Sequence, residues 1–178
     1  MYQISLTHTN QGEVLQNFRD FLQEKQEFTC EILFPADFAM SKTIRDMIGE
    51  IFDRYDISKQ WRGRFILISD ELVNNSIEHG SHEGDENMCK ISAGINDEGK
   101  FFIQFEVHDN GGEENFEAVK QELEEAQECI EKPGEIYMEK RGRGLFMITK
   151  KLVDRIQFTK SEKGGLAVKI KKTIDPEK

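Results

Sequence analysis

The stretch from Met88 to Val107 is the part of the sequence that most restricts the fold. Two runs of alternating apolar residues, Met88 to Ile95 and Phe101 to Val107, flank the turn-forming residues Asn96 to Gly99. A period of two is typical of strands that bury one face, and an Asn-Asp-Glu-Gly linker is typical of a tight turn. The pattern predicts an antiparallel hairpin, which fits poorly with a parallel doubly wound sheet because it leaves no crossover connection.

The rest of the chain predicts further strands and several helices that can cover one face of this hairpin. Apolar spacings of three and four indicate helices, and alternation indicates strands. Strands are expected at 2–8, 28–34, 88–95, 101–107, 155–159 and 166–171, and helices at 12–25, 37–51, 58–78, 116–130 and 144–153. Hairpin-joined strands with helices gathered on one side predict an α+β fold. The expected architecture is a two-layer α/β sandwich with a mixed, mostly antiparallel sheet.

Composition excludes several classes of protein. Hydrophobic residues make up 37% of the 178 positions, which is too many for a disordered chain. There is no apolar run of about 20 residues, as a membrane-spanning helix needs, and the amino terminus lacks a secretion signal. Three widely spaced cysteines, Cys30, Cys89 and Cys129, indicate reduced thiols. We therefore expect a cytoplasmic protein that has no membrane partner.

The negative charge of the chain is concentrated in one segment. The net charge is −10, and residues 113–139 contain ten Glu and two Lys, so they carry eight of those ten charges. An acidic protein is repelled by phosphate backbones and anionic lipid surfaces. Direct nucleic-acid binding is therefore not expected, and the acidic segment resembles an insert in an otherwise balanced domain.

The first candidate motif lies in the helix expected at 58–78. Glu71, Asn75 and His79 are spaced at i, i+4 and i+8, so they project from one side of that helix, beside its apolar stripe. A carboxylate in this place can act as a general base, and an amide oxygen can bind a hard cation. The alternative is a solvated polar edge of an amphipathic helix.

The second candidate motif, Asp109-Asn110-Gly111-Gly112, follows an apolar strand. An ionised Asp only accepts hydrogen bonds, so Asp109 suits a donor such as the exocyclic amine of adenine. The two glycines let the backbone approach a ligand closely. The alternative is an Asp-Asn-Gly turn between strands, although the residues that follow predict a helix.

The third candidate motif is Arg141-Gly142-Arg143-Gly144-Leu145, at the start of the helix expected at 144–153. The free backbone amides of a helix start attract anions, and the neighbouring basic side chains favour phosphate. The alternative is a flexible loop that enters a helix without binding anything.

The order and spacing of the three motifs resemble those of the GHKL, or Bergerat-fold, ATPase superfamily. Its N box and its two glycine boxes have counterparts in Glu71-x-x-x-Asn75, Asp109-x-Gly111 and Gly142-x-Gly144-Leu145. Within the superfamily, the string from Ser69 to Gly80 looks most like bacterial anti-sigma-factor serine kinases of the RsbW and SpoIIAB type. The resemblance covers roughly residues 28 to 172.

This resemblance implies an ATP-binding domain that uses Mg²⁺. Asn75 would bind the magnesium that bridges the phosphates, and Glu71 would be the catalytic base. Asp109 would hold the adenine amine, and Gly111 would keep the adenine floor open. The nucleotide-binding residues implied in this way are Asn75, His79, Asp109, Gly111, Gly112, Lys140, Arg141, Gly142, Arg143, Gly144 and Leu145.

The resemblance also implies how the terminal phosphates are handled. Lys140 or Arg141 would face them, and Gly142 and Gly144 would offer backbone amides. Residues 113–140 would form the ATP lid, which is longer and more acidic here than in the serine kinases.

The first glycine box departs from the family pattern D-x-G-x-G. Gly112 stands one position early, and Glu113 occupies the place of the second glycine. This departure and the long lid favour a second reading, in which ATP only sets the shape that grips a partner and no phosphate is transferred.

The leading expectation is a protein serine kinase that phosphorylates a STAS-domain anti-anti-sigma protein and sequesters a sigma factor or similar regulator. Its ATP-binding domain would span 28–178, after a strand-helix extension at 1–27. The apolar stripe of this extension predicts a homodimer, unless the stripe packs on its own sheet. A histidine-kinase catalytic domain is a third reading, which the extension fits poorly because it cannot supply paired dimerisation helices.

Overall fold

The computed structural model describes residues 2–23, 25–112 and 152–175. Nearly all the elements expected in these ranges are present, with boundaries that shift by a few residues. In chain order they are β1 (Tyr2–Ser5), α1 (Gln11–Gln23), β2 (Glu27–Pro35), α2 (Ala39–Arg54), α3 (Lys59–Glu78), β3 (Glu86–Ile95), β4 (Phe101–His108), β5 (Arg155–Lys160) and β6 (Leu166–Ile174). The helices expected at 116–130 and 144–153 lie outside the described residues, apart from the last two positions of the second.

The strands of the described ranges form one six-stranded sheet in the order β1-β2-β3-β4-β6-β5. β1 runs parallel to β2, and every other neighbouring pair is antiparallel. The hairpin predicted between β3 and β4 is present, and Gly99 in its turn has φ of 74°, a conformation that glycine adopts without strain. The structure therefore confirms an α+β fold with a mixed, mostly antiparallel sheet.

One face of the sheet and the three described helices share a single hydrophobic core. Alternate residues of β2, from Phe28 to Phe34, are buried, and the register aligns them with buried residues of β3 and β4. Phe52 of α2 joins the layers, because its ring centroid lies 5.6 Å from that of Phe65 in α3 and 5.5 Å from that of Phe101 in β4. Burying a side chain of this size contributes roughly 1.5–3 kcal/mol.

Side-chain caps and a polar seam position α3, the helix that carries the first motif. Ser58 Oγ accepts a hydrogen bond from Trp61 N at 3.4 Å, as expected for the helix start. Along the seam, Ser41 donates to Asn74 at 2.6 Å and Arg45 to Asp70 at 3.2 Å. These contacts fix the orientation of α3 against α2. They therefore determine which side of α3 faces away from α2.

α2 begins slightly later than the helix expected at 37–51, in which residue 37 would be the cap. Phe38 occupies the cap position, but the carboxylate of Asp37 still accepts a hydrogen bond from Ala39 N at 2.8 Å. The expected capping side chain therefore satisfies a free amide of the first turn, as such residues do.

The amino-terminal strand and helix pack on the rest of the chain. The stripe residues Val14, Phe18 and Leu22 are buried, and the Phe21 ring stacks on Tyr2 of β1 with centroids 4.1 Å apart. This is the alternative that the sequence left open, packing of the stripe on its own sheet. The stripe therefore gives no support to a homodimer. None of the helices in the described ranges is both long and apolar enough to cross a membrane.

The other face of the sheet carries a row of alternating charges. The register places Glu31 beside Lys90, Lys90 beside Glu106, and Glu106 beside Lys169. Two basic side chains contact the carboxylate of Glu106. His108 Nε2 lies 2.9 Å from one of its oxygens, and Lys169 Nζ lies 3.2 Å from the other. The hydrogen bond from His108, with help from Lys169, lowers the pKa of Glu106 to about 2.

We predict that Glu106→Gln destabilises the protein at pH 7 and does so less in acid. The loss at pH 7 should be about 1.5–3 kcal/mol, the range for hydrogen bonds to charged groups. Because the folded pKa lies below the unfolded value of about 4.3, the contribution is present above that value and disappears as pH falls through the folded pKa. Urea unfolding at pH 7, 4 and 3 measures it, with the exposed Glu83→Gln as the control. A difference that stays constant down to pH 3 would contradict the account.

Candidate functional site

The carboxyl ends of α3 and β4 meet at one edge of the domain. Gly80, just after α3, accepts a hydrogen bond through its carbonyl oxygen from Asn110 N at 2.8 Å. A Cβ at Gly80 would overlap the side chain of Asp109, the residue that follows β4. Glycine is therefore required at this contact, and it brings the first and second motifs together.

Asp109 is buried, with 5% of its surface exposed, and one of its oxygens is fixed by the backbone. Oδ1 accepts hydrogen bonds from Gly111 N at 3.0 Å and from Leu166 N at 2.8 Å. The backbone of Asp109 also pairs with β6, since its N–H donates to Leu166 O at 3.0 Å and its carbonyl accepts from Gly165 N at 3.2 Å. The carboxylate is thus held by one group that is close in the sequence, the Gly111 amide, and by one that is distant, the Leu166 amide.

The second oxygen of Asp109, Oδ2, accepts no hydrogen bond from the described residues. Burial raises the pKa of this carboxyl, and the two backbone N–H groups that bind Oδ1 oppose the shift. A carboxylate that is held rigidly on one side and left without a partner on the other is suited to accept a hydrogen bond from a ligand. A simple Asp-Asn-Gly turn explains the bond to Gly111 but not the bond to Leu166.

The glycines around Asp109 have separate roles. Gly112 has φ of 77°, so the glycine that is shifted from the family pattern occupies a backbone conformation that disfavours other residues. Gly165, in the β5–β6 turn, has no room for a Cβ because Asp109 and the amide of Gly111 lie against it. Gly111 and Gly165 therefore let two backbone segments close around the carboxylate.

Glu71 and Asn75 lie in the last two turns of α3, and His79 follows its end. The side chain of Glu71 is exposed, that of Asn75 is half-buried, and neither makes a hydrogen bond to another described residue. The backbone N–H of His79 donates to Asn75 O at 3.0 Å, and its ring lies 3.7 Å from the Glu78 carboxylate. Among the described residues, nothing occupies the Glu71 carboxylate or the Asn75 amide, so both can contact a ligand. Their exposure is equally consistent with a solvated helix edge.

The residues expected to handle the terminal phosphates lie outside the described ranges. They are Lys140, Arg141, Gly142, Arg143, Gly144 and Leu145. The described part of the candidate site therefore consists of the surroundings of Asp109, where adenine binding is expected, and the side of α3 that carries Glu71 and Asn75.

Sequence reasoning missed four residues that build this end of the site: Gly80, Asn87, Gly165 and Leu166. The strands expected at 155–159 and 166–171 imply a connection between them, but not its contact with Asp109, because the Asp109–Leu166 hydrogen bond joins residues 57 positions apart. A glycine directly after a long helix was the available signal for Gly80. Asn87 stands in a strand without any motif around it.

Comparison with known protein families gives one match. The model of the histidine kinase-like ATPase domain matches residues 34–172, which include Glu71, Asn75 and Asp109. The chain belongs to this family. ATP binding follows from membership of the histidine kinase-like ATPases, and the observed sheet and helices agree with their fold. A search of curated proteins gives no significant match.

The described residues suit a magnesium ion that is held mainly by nucleotide phosphates. No group of three or more His, Cys, Asp or Glu within the described ranges is arranged to hold a metal ion by itself. Mg²⁺ bound with nucleotides commonly has one or two protein oxygen ligands, with phosphates and water completing the octahedron. The amide oxygen of Asn75, which makes no hydrogen bond to another described residue, has the chemistry of such a ligand.

We predict that Gly80→Ala destabilises the protein by about 1–3 kcal/mol, the usual range for overpacking, because its methyl group would displace the Asp109 side chain. Gly63→Ala is the matched control, since Gly63 is also a helix-layer glycine but has nothing within 4 Å of an added Cβ. In the interior of α3 this control should stabilise by about 0.5–1 kcal/mol. Urea unfolding of both variants measures the contrast, and equal effects would refute the close contact.

Proposed function

We propose that the protein is an ATP-dependent protein serine kinase of the anti-sigma-factor type. The observation that carries the proposal is the geometry of Asp109, whose Oδ1 is fixed by two backbone amides while Oδ2 accepts no hydrogen bond from the described residues. The string from Ser69 to Gly80, which resembles that of the RsbW and SpoIIAB kinases, supports the narrower assignment.

Base recognition comes from the carboxyl end of β4. The 6-amino group of adenine donates to Asp109 Oδ2, and the acceptor is rigid because the opposite oxygen cannot turn away from its amides. The absence of a Cβ at Gly80 and Gly165 lets these two residues pack directly against the carboxylate and hold it in place. Guanine has an acceptor oxygen in place of the amine, so it would meet Asp109 unfavourably.

Phosphoryl transfer depends on the free edge of α3. The amide oxygen of Asn75 would hold a magnesium ion, which would supply positive charge to the nucleotide phosphates. Glu71, one helical turn earlier and exposed, accepts the proton of the attacking hydroxyl group. Placing the base and the metal ligand four residues apart on one helix keeps their separation fixed.

The proposed phospho-acceptor is a STAS-domain anti-anti-sigma protein, and the proposed sequestered partner is a sigma factor or similar regulator. A homodimer is also proposed, although the amino-terminal stripe is buried within the chain and does not supply its interface. The acidic segment at 113–139 is available for partners of opposite charge, since eight net negative charges would repel a polyanion at close range.

A second candidate is a binding module that holds ATP without transferring phosphate. The shifted glycine, with Glu113 in the place of the second glycine of the D-x-G-x-G pattern, favours it, as does the long segment between the two glycine boxes. Glu71, which such a module does not need, favours the kinase.

We predict that Asp109→Asn weakens ATP binding by about 1.5–3 kcal/mol, since an amide nitrogen would replace the acceptor that faces the adenine amine. Isothermal titration calorimetry with ATP, ADP and GTP measures the effect. The wild-type protein should prefer ATP and ADP to GTP. Equal affinity for ATP and GTP, or an unaffected variant, would overturn the assignment of Asp109.

We predict that Glu71→Gln lowers the rate of phosphate transfer by about 10²–10⁴-fold, the usual contribution of a general base, and leaves ATP affinity nearly unchanged. The assay follows the labelled γ-phosphate of ATP on a STAS-domain protein, with the exposed Glu83→Gln as the control. Wild-type protein that binds ATP but transfers no phosphate would exclude the kinase and favour the binding module.

A further inference from the structure

Asn110 lies at the point where the chain leaves β4 and turns away from the sheet. The pairing of β4 with β3 ends at Met88 and His108, and two further residues in the same register would place Asn110 opposite Glu86. The backbone N–H of Asp109 donates to β6 at 3.0 Å. Because successive N–H groups of a strand point to opposite neighbours, the N–H of Asn110 would next point to β3. A regular strand would therefore donate from this N–H to Glu86 O.

The side chain of Asn110 makes that hydrogen bond in place of the backbone. Asn110 Nδ2 donates to Glu86 O at 2.9 Å, whereas the backbone N–H donates to Gly80 O, just after α3, at 2.8 Å. Nδ2 also donates to Asn87 Oδ1 at 3.0 Å, so both of its hydrogens are used. The side chain thus keeps the last bond to β3 while the backbone turns to the end of α3.

The backbone conformation does not explain an asparagine at this position. Asparagine is common in turns partly because it tolerates a positive φ. Within the described ranges, His8 and Asp56 are the only residues other than glycine that have a positive φ. The φ of Asn110 is therefore one that alanine also adopts, and what alanine would lack is the donor for Glu86 O.

The bond to Gly80 fixes the neighbour of the second carboxylate oxygen of Asp109. A Cβ at Gly80 would lie closest to Asp109 Oδ2, the oxygen that accepts no hydrogen bond from the described residues. One backbone N–H cannot satisfy the carbonyl oxygens of both Gly80 and Glu86. Removal of Asn110 Nδ2 would therefore leave one of them without its donor and loosen the turn that carries Asp109.

We propose that Asn110 is a positioning residue for base recognition, a role that rests on the proposed binding of adenine by Asp109. Asn110 does not contact the nucleotide. It holds the turn of Asp109 against the end of α3, so Oδ2 keeps a fixed place for the 6-amino group. An acceptor that is already ordered binds its donor more tightly, because no conformational freedom is lost on binding.

A double-mutant cycle tests the proposal. Calorimetry gives the dissociation constant of ATP for the wild type, Asn110→Ala, Asp109→Asn and the double variant. Asn110→Ala should weaken ATP binding about tenfold in the wild type and less than about twofold in Asp109→Asn, where the positioned acceptor is absent. Equal effects in the two backgrounds would show that Asn110 does not act through Asp109.

GTP separates positioning from a general loss of structure. Guanine has no amine at position 6 to donate to Asp109, so Asn110→Ala should weaken GTP binding less than about twofold. The preference for ATP over GTP should therefore fall about fivefold or more. A purely structural role would lower both affinities by the same factor and leave the preference unchanged.

Asn110→Ser is the second variant, chosen because serine suits turns and keeps a donor on a shorter side chain. The hydroxyl group has one hydrogen in place of two, so the preference for ATP over GTP should fall by at least about twofold. This variant decides the matter if Asn110→Ala does not fold, and an unaltered preference in it would overturn the role of Asn110.

The matched control is Asn96→Ala, at the other end of the β3–β4 hairpin. Asn96 Oδ1 also ties a turn together, since it accepts hydrogen bonds from Glu98 N at 3.1 Å and Lys100 N at 2.9 Å. Its loss should lower stability and leave the affinities for ATP and GTP unchanged.

The two proposals fail in different ways. If Asp109→Asn weakens ATP binding but Asn110→Ala acts equally in both backgrounds, only the role of Asn110 is overturned. If Asp109→Asn binds ATP as tightly as the wild type, the recognition of adenine by Asp109 is wrong, and the role of Asn110 is overturned with it.

Discussion

The hydrogen bonds that hold the carboxylate of Asp109 are the constraint on which the rest of the site depends. A buried carboxylate is costly unless hydrogen bonds stabilise it, and here two backbone amides, from Gly111 and Leu166, bind a single oxygen. This arrangement requires β6 to lie beside β4 and requires glycine at 80 and 165, where any side chain would collide. One acidic side chain therefore contacts the start of β6, the turn between β5 and β6 and the exit of α3.

The regular elements could be predicted from the sequence because their causes are local. Alternating apolar residues and the Asn96–Gly99 turn determine the β3–β4 hairpin, and Ser58 marks the start of α3. The nucleotide-site motifs were found by their order along the chain, and the family match agrees with that reading. The site residues keep the status of predictions, since a family match assigns no role to an individual side chain.

The contacts between distant segments could not be predicted in the same way. Asp109 and Leu166 are separated by 57 positions, and nothing in either segment indicates its partner. Asn87 illustrates the difficulty further, because Ser81 and Asn110 both lie within hydrogen-bonding distance of its side-chain oxygen and no pattern in the sequence brings them together. The amino-terminal stripe is a related case, since its apolar pattern fitted either a second copy or packing on the chain's own sheet, and the structure shows that its residues are buried within the chain.

The central claim is that Asp109 accepts a hydrogen bond from the 6-amino group of adenine. A crystal structure of the protein with ADP tests this claim most directly. The account predicts that N6 of adenine lies about 3 Å from Asp109 Oδ2, with Oδ1 still bound to its two backbone amides. Adenine bound with its amine turned away from Asp109, or placed outside the space between α3 and the end of β4, would contradict it.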